Sequence, residues 1–125
     1  MDGLTADDLL QVAIRVVGPD VAVADHGLLA AAVARVWATV DGEDVYPTPA
    51  EKAAALLHSL ALNGPLVTGN RRFALAAALV LMGLHDQPAA IAPDDAVELV
   101  TGVMTGKVET VAEIARALEG RRGAR

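Results

Sequence analysis

The 125-residue chain contains no cysteine and very few aromatic side chains. Without cysteine it can form neither a disulfide framework nor a thiolate metal site. Aromatic residues make up 2% of the chain and hydrophobic residues as a whole 54%, so the core must be built from Ala, Leu and Val. Small aliphatic side chains suit closely packed helices, and this composition favours an all-α fold.

Positive charge and long apolar runs are also scarce. Lys and Arg number 10 against 16 Asp and Glu, which gives a net charge of -6, the wrong sign for a general polyanion binder. The longest apolar run, at 73–84, has twelve residues, whereas a bilayer requires about 20. The opening MDGLTADDLL has acids where a signal peptide has positive charge. We therefore expect a cytoplasmic protein that binds neither bulk nucleic acid nor a membrane.

The periodicity of apolar residues predicts six helices, each bounded by glycine, proline or a capping residue. The predicted helices cover 5–17, 26–39, 49–62, 70–84, 94–104 and 110–119. The fourth is apolar on every side after Arg72, so we expect it to be the buried central helix, with Leu79 in the core. A chain of this length fits one domain, expected at 1–119, followed by a frayed tail at 120–125.

The polar stretch NGPLVTGNRR, at 63–72, joins the third helix to the fourth. A helix N-terminus leaves backbone N–H groups unpaired and carries about half a positive charge, which attracts anions. Gly69 lets the backbone approach a ligand closely, and Asn70 offers a side-chain amide. Arg71 and Arg72 add two guanidinium groups suited to phosphate oxygens. The stretch is therefore a candidate phosphate site; the alternative is an ordinary turn and cap with two solvated arginines.

A longer segment, HSLALNGPLVTGNRRFALAAALVLMGL, resembles the signature region of the Fic/Doc (Fido) family. It is most similar to the short Doc-like (death-on-curing) toxins of toxin–antitoxin systems, and the similarity extends over 1–119. The resemblance implies a compact single domain of about six helices around a buried central helix. It also implies transfer of a phosphoryl or nucleotidyl group from a nucleoside triphosphate to a hydroxyl on a target protein.

The motif of that family is matched where it contacts the nucleotide. Its Gly-Asn-Lys/Arg-Arg run corresponds to Gly69, Asn70, Arg71 and Arg72, and Leu66 corresponds to its apolar anchor. The resemblance therefore implies a nucleoside triphosphate or another phosphorylated ligand at these residues, with no cofactor required. An antitoxin or a target protein is the partner that it implies.

The motif is not matched where the family performs its chemistry. Gly64 stands where the family has the histidine that acts as general base, and Thr68 stands where it has the acid that holds the metal ion. Glycine cannot accept a proton, and a neutral threonine hydroxyl is a weaker magnesium ligand than a carboxylate. We therefore expect a degenerate site with no catalytic residue at the base position and no bound metal.

None of the three histidines is expected to replace the missing base. His58 borders the apolar face of the third helix, where a packing role is the ordinary one. His85 ends the fourth helix and His26 begins the second, and neither matches a catalytic position of the family. They are too far apart in sequence to form a zinc site with helical spacing.

Two aromatic residues flank the loop between the second and third helices, in the region that resembles the target-docking side of the family. Tyr46 precedes Pro47, which favours extended backbone, as in a segment that engages a partner. Tyr46 is therefore a candidate docking residue, and the alternative is a loop anchor. Trp37 ends an apolar stripe and is expected to belong to the core.

Two hypotheses about function remain open. In the first, a degenerate Doc-like domain binds a partner protein, or a phosphorylated ligand, without efficient transfer. In the second, a divergent enzyme uses the Asn70/Arg72 anion site for phosphoryl or nucleotidyl transfer or for new chemistry. A purely structural helical module would leave the match at 69–72 unexplained.

Overall fold

The computed structural model describes residues 3–120, and it confirms the all-α fold expected from the sequence. The helices are α1 (Ala6–Val16), α2 (His26–Val36), α3 (Pro49–Asn63), α4 (Asn70–Leu84), α5 (Pro93–Met104) and α6 (Val111–Leu118). Most of the tail expected at 120–125, from 121 onward, lies outside the described residues. Within residues 3–120, none of the helices combines the length and hydrophobicity needed to span a membrane.

Local capping explains why most helix boundaries could be predicted. At α1, the Thr5 side chain accepts from the Asp8 backbone N–H at 3.1 Å, and the Asp8 carboxylate accepts from the Thr5 N–H at 2.9 Å. Thr48 and Thr110 form the same capping box at α3 and α6. These reciprocal bonds satisfy N–H groups that a helix start leaves unpaired, so each start is determined by adjacent residues.

The central helix is α3, and the expectation that the fourth helix occupies this place is wrong. α3 packs against α2, α4, α5 and α6, and all of its alanine and leucine side chains except that of Leu62 are almost completely buried. α4 is buried only on the side that carries Phe73, Ala77 and Leu81. Leu79, expected in the core, lies on the opposite side with 36% of its surface exposed.

The connection between α2 and α3 contains a β-hairpin that the sequence analysis missed. Strand β1 (Thr39–Val40) pairs antiparallel with β2 (Glu43–Asp44), and α2 ends at Val36 rather than at 39. Both turn residues, Asp41 and Gly42, have positive φ, at 52° and 81°. Asp-Gly is a frequent two-residue hairpin turn for this reason, so the turn had a sequence signal.

Candidate functional site

The candidate site is the loop at 64–69 that connects α3 to the N-terminus of α4. Gly64 ends α3 in the left-handed region, with φ 56° and ψ 63°. On the other side of the loop Gly69, with φ 86°, is the N-cap of α4. Left-handed residues at both ends turn the chain sharply, and this is how the loop delivers the first turn of α4 to the surface.

Hydrogen bonds to the segment before α2 hold the middle of this loop. The Ala24 N–H donates to the Pro65 carbonyl at 2.8 Å, and the Val67 N–H donates to the Ala22 carbonyl at 2.9 Å. Leu66 forms an antiparallel bridge with Val23 and is buried. Leu66 thus lies where an apolar anchor should, and it fixes the loop against the core.

The side-chain amide of Asn70 closes the loop. Its Oδ1 accepts from the Leu66 N–H and its Nδ2 donates to the Leu66 carbonyl, both at 2.9 Å. These bonds join the first residue of α4 to the middle of the loop. The amide that the sequence analysis assigned to a ligand is therefore engaged by the protein, and it orders the backbone around the site.

Gly69 is required by packing as well as by its backbone conformation. A Cβ at this position would lie 2.7 Å from a methyl carbon of Val17, at the end of α1. The close approach expected at Gly69 is thus made to α1 in this structure. The start of α4 is therefore packed directly against the end of α1.

The first turn of α4 is electrostatically uncompensated. It contains no acidic residue, and among residues 3–120 no side chain caps it. Arg71 and Arg72 are both exposed, and neither has an ion-pair or hydrogen-bond partner within residues 3–120. Unpaired N–H groups, the positive end of the helix dipole and the two arginines without partners therefore all belong to the first turn of α4.

The two positions that depart from the family motif border this surface without supplying a base or a carboxylate. Thr68 is exposed in the loop. Gly64 is close enough to the loop amide that a Cβ there would lie 3.2 Å from Asn70 Nδ2. Across residues 3–120 there is also no cluster of three potential metal-ligating side chains.

A second polar cluster lies beneath the hairpin, and its organising residue, Arg35, was missed by the sequence analysis. Arg35 donates to Tyr46 Oη at 3.1 Å, to His58 Nδ1 at 2.9 Å and to Ser59 Oγ at 2.9 Å. Its guanidinium carbon also lies 5.6 Å from the centre of the Tyr46 ring. Its position within the apolar stripe of α2 could have indicated this cluster, because a buried arginine requires polar partners.

His58 is half-buried in this cluster and is held as a neutral acceptor. Burial and the adjacent Arg35 lower its pKa, while a backbone hydrogen bond with Glu109 raises it to a smaller extent. Because arginine can only donate, Nδ1 of His58 must carry its lone pair toward Arg35. The histidine therefore serves the packing of α2 on α3, as the sequence analysis expected.

Lys52 also fixes the hairpin, and the sequence analysis did not predict this role. Its Nζ is buried and donates to Asp44 Oδ2 at 2.9 Å and to the Tyr46 carbonyl. It lies 5.5 Å from the centre of the Trp37 ring. Trp37 is half-buried and donates to the Leu4 carbonyl at 3.2 Å, so it belongs to the packing.

An all-α domain whose Gly-Asn-Arg-Arg run begins the helix after an anchored loop is the arrangement expected of a Doc-like protein. None of the established protein-family models matches the chain. The chain is, however, 49% identical over 82 residues to Toxin Doc of Mycolicibacterium smegmatis, an alignment that covers 66% of this chain. The aligned part spans 63% of that relative, less than two thirds of its length. Over these 82 residues the chain is therefore similar to a Doc toxin.

Proposed function

We propose that this chain is a Doc-like member of a toxin–antitoxin pair and binds a phosphorylated ligand at the start of α4 without efficient group transfer. The name of its relative, Toxin Doc, supports the toxin–antitoxin setting. In that setting an antitoxin or a target protein is its macromolecular partner, and it acts in the cytoplasm. The single observation that carries the ligand proposal is the uncompensated first turn of α4.

The ligand is held by backbone N–H groups after Gly69 and by Arg72. Asn70 acts indirectly, because its amide is bonded to Leu66 and keeps the loop in place. Arg72 matches the terminal arginine of the family motif, so it contacts the ligand while Arg71 remains in solvent. A nucleoside triphosphate, or another phosphorylated small molecule, has the charge and oxygen atoms that this surface can bind.

Gly64 and Thr68 argue against efficient transfer. Loss of a general base alone typically lowers a rate by about 10²–10⁴, and loss of a metal-holding carboxylate lowers it further. His58 does not compensate, because its Nδ1 accepts from Arg35 and the same cluster holds it beneath the hairpin. What the site retains is recognition of an anion.

The hairpin is the candidate docking surface for a protein partner. Tyr46 Oη is already bonded to Arg35, so the tyrosine contributes by fixing the hairpin rather than by touching the partner directly. Val40 in β1 and Val45, directly after β2, are exposed, and within residues 3–120 the hairpin has an outer edge to which an extended peptide can add.

The alternative is a divergent enzyme that uses the same anion site. The observation in its favour is that both arginines lack partners within residues 3–120, a charged arrangement that a purely structural loop does not need. Such an enzyme would require its base from the substrate or from the partner protein.

Calorimetric titration with nucleoside triphosphate tests the proposal. Binding is expected with or without magnesium, since Thr68 provides no carboxylate. Arg72→Ala is expected to weaken binding by about one to two powers of ten, the equivalent of a charge-assisted hydrogen bond, and Arg71→Ala is the matched control with a smaller effect. Strong magnesium dependence, or loss of the triphosphate's terminal group during the titration, favours the enzyme; absence of binding to any phosphorylated ligand overturns the ligand proposal.

A further inference from the structure

Aliphatic side chains of α4 are exposed on the side of the helix that faces away from α3. Leu79 is 36% exposed, Val80 40% and Leu84 62%. They recur at the helical spacing that puts residues on one face, together with Arg72, Ala76 and Gly83. We call this set the outer face of α4.

Within residues 3–120, neither a close contact nor the backbone conformation requires a glycine at position 83. Its φ is not positive, and a Cβ built on it meets no atom of residues 3–120 within 4 Å. Glycine inside a helix destabilises it by about 1 kcal/mol relative to alanine. A glycine at an exposed helical position, surrounded by aliphatic side chains, is suited to the close approach of another backbone.

The charges at the two ends of the outer face are opposite. Arg71 and Arg72 are exposed at the N-terminal end and Asp86 is exposed just beyond the C-terminal end. Between them the outer face carries only aliphatic residues and Gly83. An antiparallel pair of such helices brings arginines near the aspartate and the negative end of the partner dipole. A parallel pair would bring arginine against arginine.

We propose that the outer face of α4 binds a second copy of this chain in an antiparallel, two-fold symmetric helix pair. A two-fold axis between Leu79 and Val80 places Ala76 of one copy opposite Gly83 of the second copy, because both are equally far from the axis along the helix. Two small residues face each other on either side of the axis, and this lets the helices approach closely while the larger aliphatic residues interlock.

The pair is expected to be weak. One helix face buries less than the about 800 Å² per partner of a standard interface, so dissociation in the micromolar range is the natural expectation. The proposal does not depend on ligand binding at the start of α4. It is independent of the toxin–antitoxin setting as well.

Sedimentation velocity of the chain over the micromolar to millimolar range tests the association. A monomer–dimer equilibrium is expected, and Leu79→Asp should weaken it by roughly tenfold or more while circular dichroism remains helical. Val97→Asp, at an exposed aliphatic position of α5, is the matched control and should leave dimerisation unchanged. A chain that stays monomeric throughout, or that dimerises equally well after Leu79→Asp, overturns the proposal.

Disulfide trapping tests the arrangement, and it is unambiguous because the chain has no cysteine. The double variant Ala76→Cys with Gly83→Cys should oxidise to a covalent dimer. Either single variant should not, since equivalent positions would be roughly 10 Å or more apart, beyond the reach of a disulfide. Efficient dimers from a single variant, or none from the pair, would rule out this antiparallel register even if Leu79→Asp proved to be unfolded.

Discussion

Asn70 and Leu66 are joined by two hydrogen bonds, each 2.9 Å long, between the amide side chain of one and the backbone of the other. A side chain at the first position of α4 thus determines the shape of the loop before it. Asn70, which resembles a ligand contact of the Fic/Doc motif, is therefore also the residue that orders the loop.

Replacing Asn70 should therefore destabilise the loop and the anion site together. Asn70→Ala leaves the N–H and carbonyl of the buried Leu66 without their side-chain partners, a cost of about 1–3 kcal/mol in the free energy of unfolding. Asn63→Ala, at the exposed end of α3, is the matched control and should cost less. Urea denaturation of both variants measures the difference, and equal stability would mean that the loop does not need the Asn70 bridge.

Gly69 should tolerate no side chain, and Gly42 allows the two reasons to be separated. Both have φ above 80°, but a Cβ meets no atom of residues 3–120 at Gly42, whereas it meets Val17 at 2.7 Å at Gly69. Gly42→Ala should cost about 1–2 kcal/mol from the backbone alone, and Gly69→Ala about 1–3 kcal/mol more from overpacking. Thermal unfolding measures both values.

A double-mutant cycle identifies the source of that additional cost. Val17→Ala removes the methyl groups that the new Cβ would strike, so it should recover part of the stability lost in Gly69→Ala. Purely additive effects of the two substitutions would show that Val17 is not the obstacle.

The same substitution should have different effects at Leu79 and at Leu81, two leucines of α4 that sequence periodicity does not separate. Leu81 is fully buried, so Leu81→Asp should unfold the domain, since an unpaired buried carboxylate costs several kcal/mol against a total stability of about 5–15. Leu79→Asp should stay folded because Leu79 is exposed. Circular dichroism of the two variants is the measurement, and a folded Leu81→Asp protein would contradict the packing described for α4.

This contrast marks what the sequence could and could not predict. Helix starts such as Thr5 and Thr48 were predictable, because capping depends on residues three apart. The identity of the central helix was not, since α3 carries Lys52, which looks solvent-facing until its partner on the hairpin is known. An apolar α4 looked central because periodicity cannot distinguish burial by the fold from exposure on an unpartnered face.

In the candidate site, too, local features could be predicted from the sequence and tertiary contacts could not. The match at 69–72 predicted where unpaired positive groups would gather, because a helix start and two arginines are local features. It did not predict that the Asn70 amide would be used by Leu66, or that Val17 would require a glycine at 69, because both partners depend on how the chain folds back on itself.

His58 should make stability fall in mildly acidic solution. Burial and Arg35 lower its pKa below the usual 6.5, so the folded state binds fewer protons there than the unfolded state. The stabilisation is present above pH 6.5 and is lost as the pH falls below it. His58→Gln should flatten this part of the urea-midpoint profile, and His26→Gln should not. A profile unchanged by His58→Gln would show that another group controls it.

Restoring the two missing motif residues tests directly whether their absence prevents group transfer. Expression of the unaltered chain in bacteria is expected not to arrest growth, because Gly64 and Thr68 provide neither base nor metal carboxylate. Gly64→His with Thr68→Asp supplies both, and labelling of protein from radioactive nucleoside triphosphate should rise above that of the unaltered chain.

Left-handed backbone at Gly64 is tolerated better by asparagine and histidine than by most residues, so Gly64→Asn with Thr68→Asp is the matched control for strain. If the unaltered chain already labels protein as fast as the restored variant, the missing base and carboxylate do not limit the reaction, and the divergent-enzyme alternative is favoured.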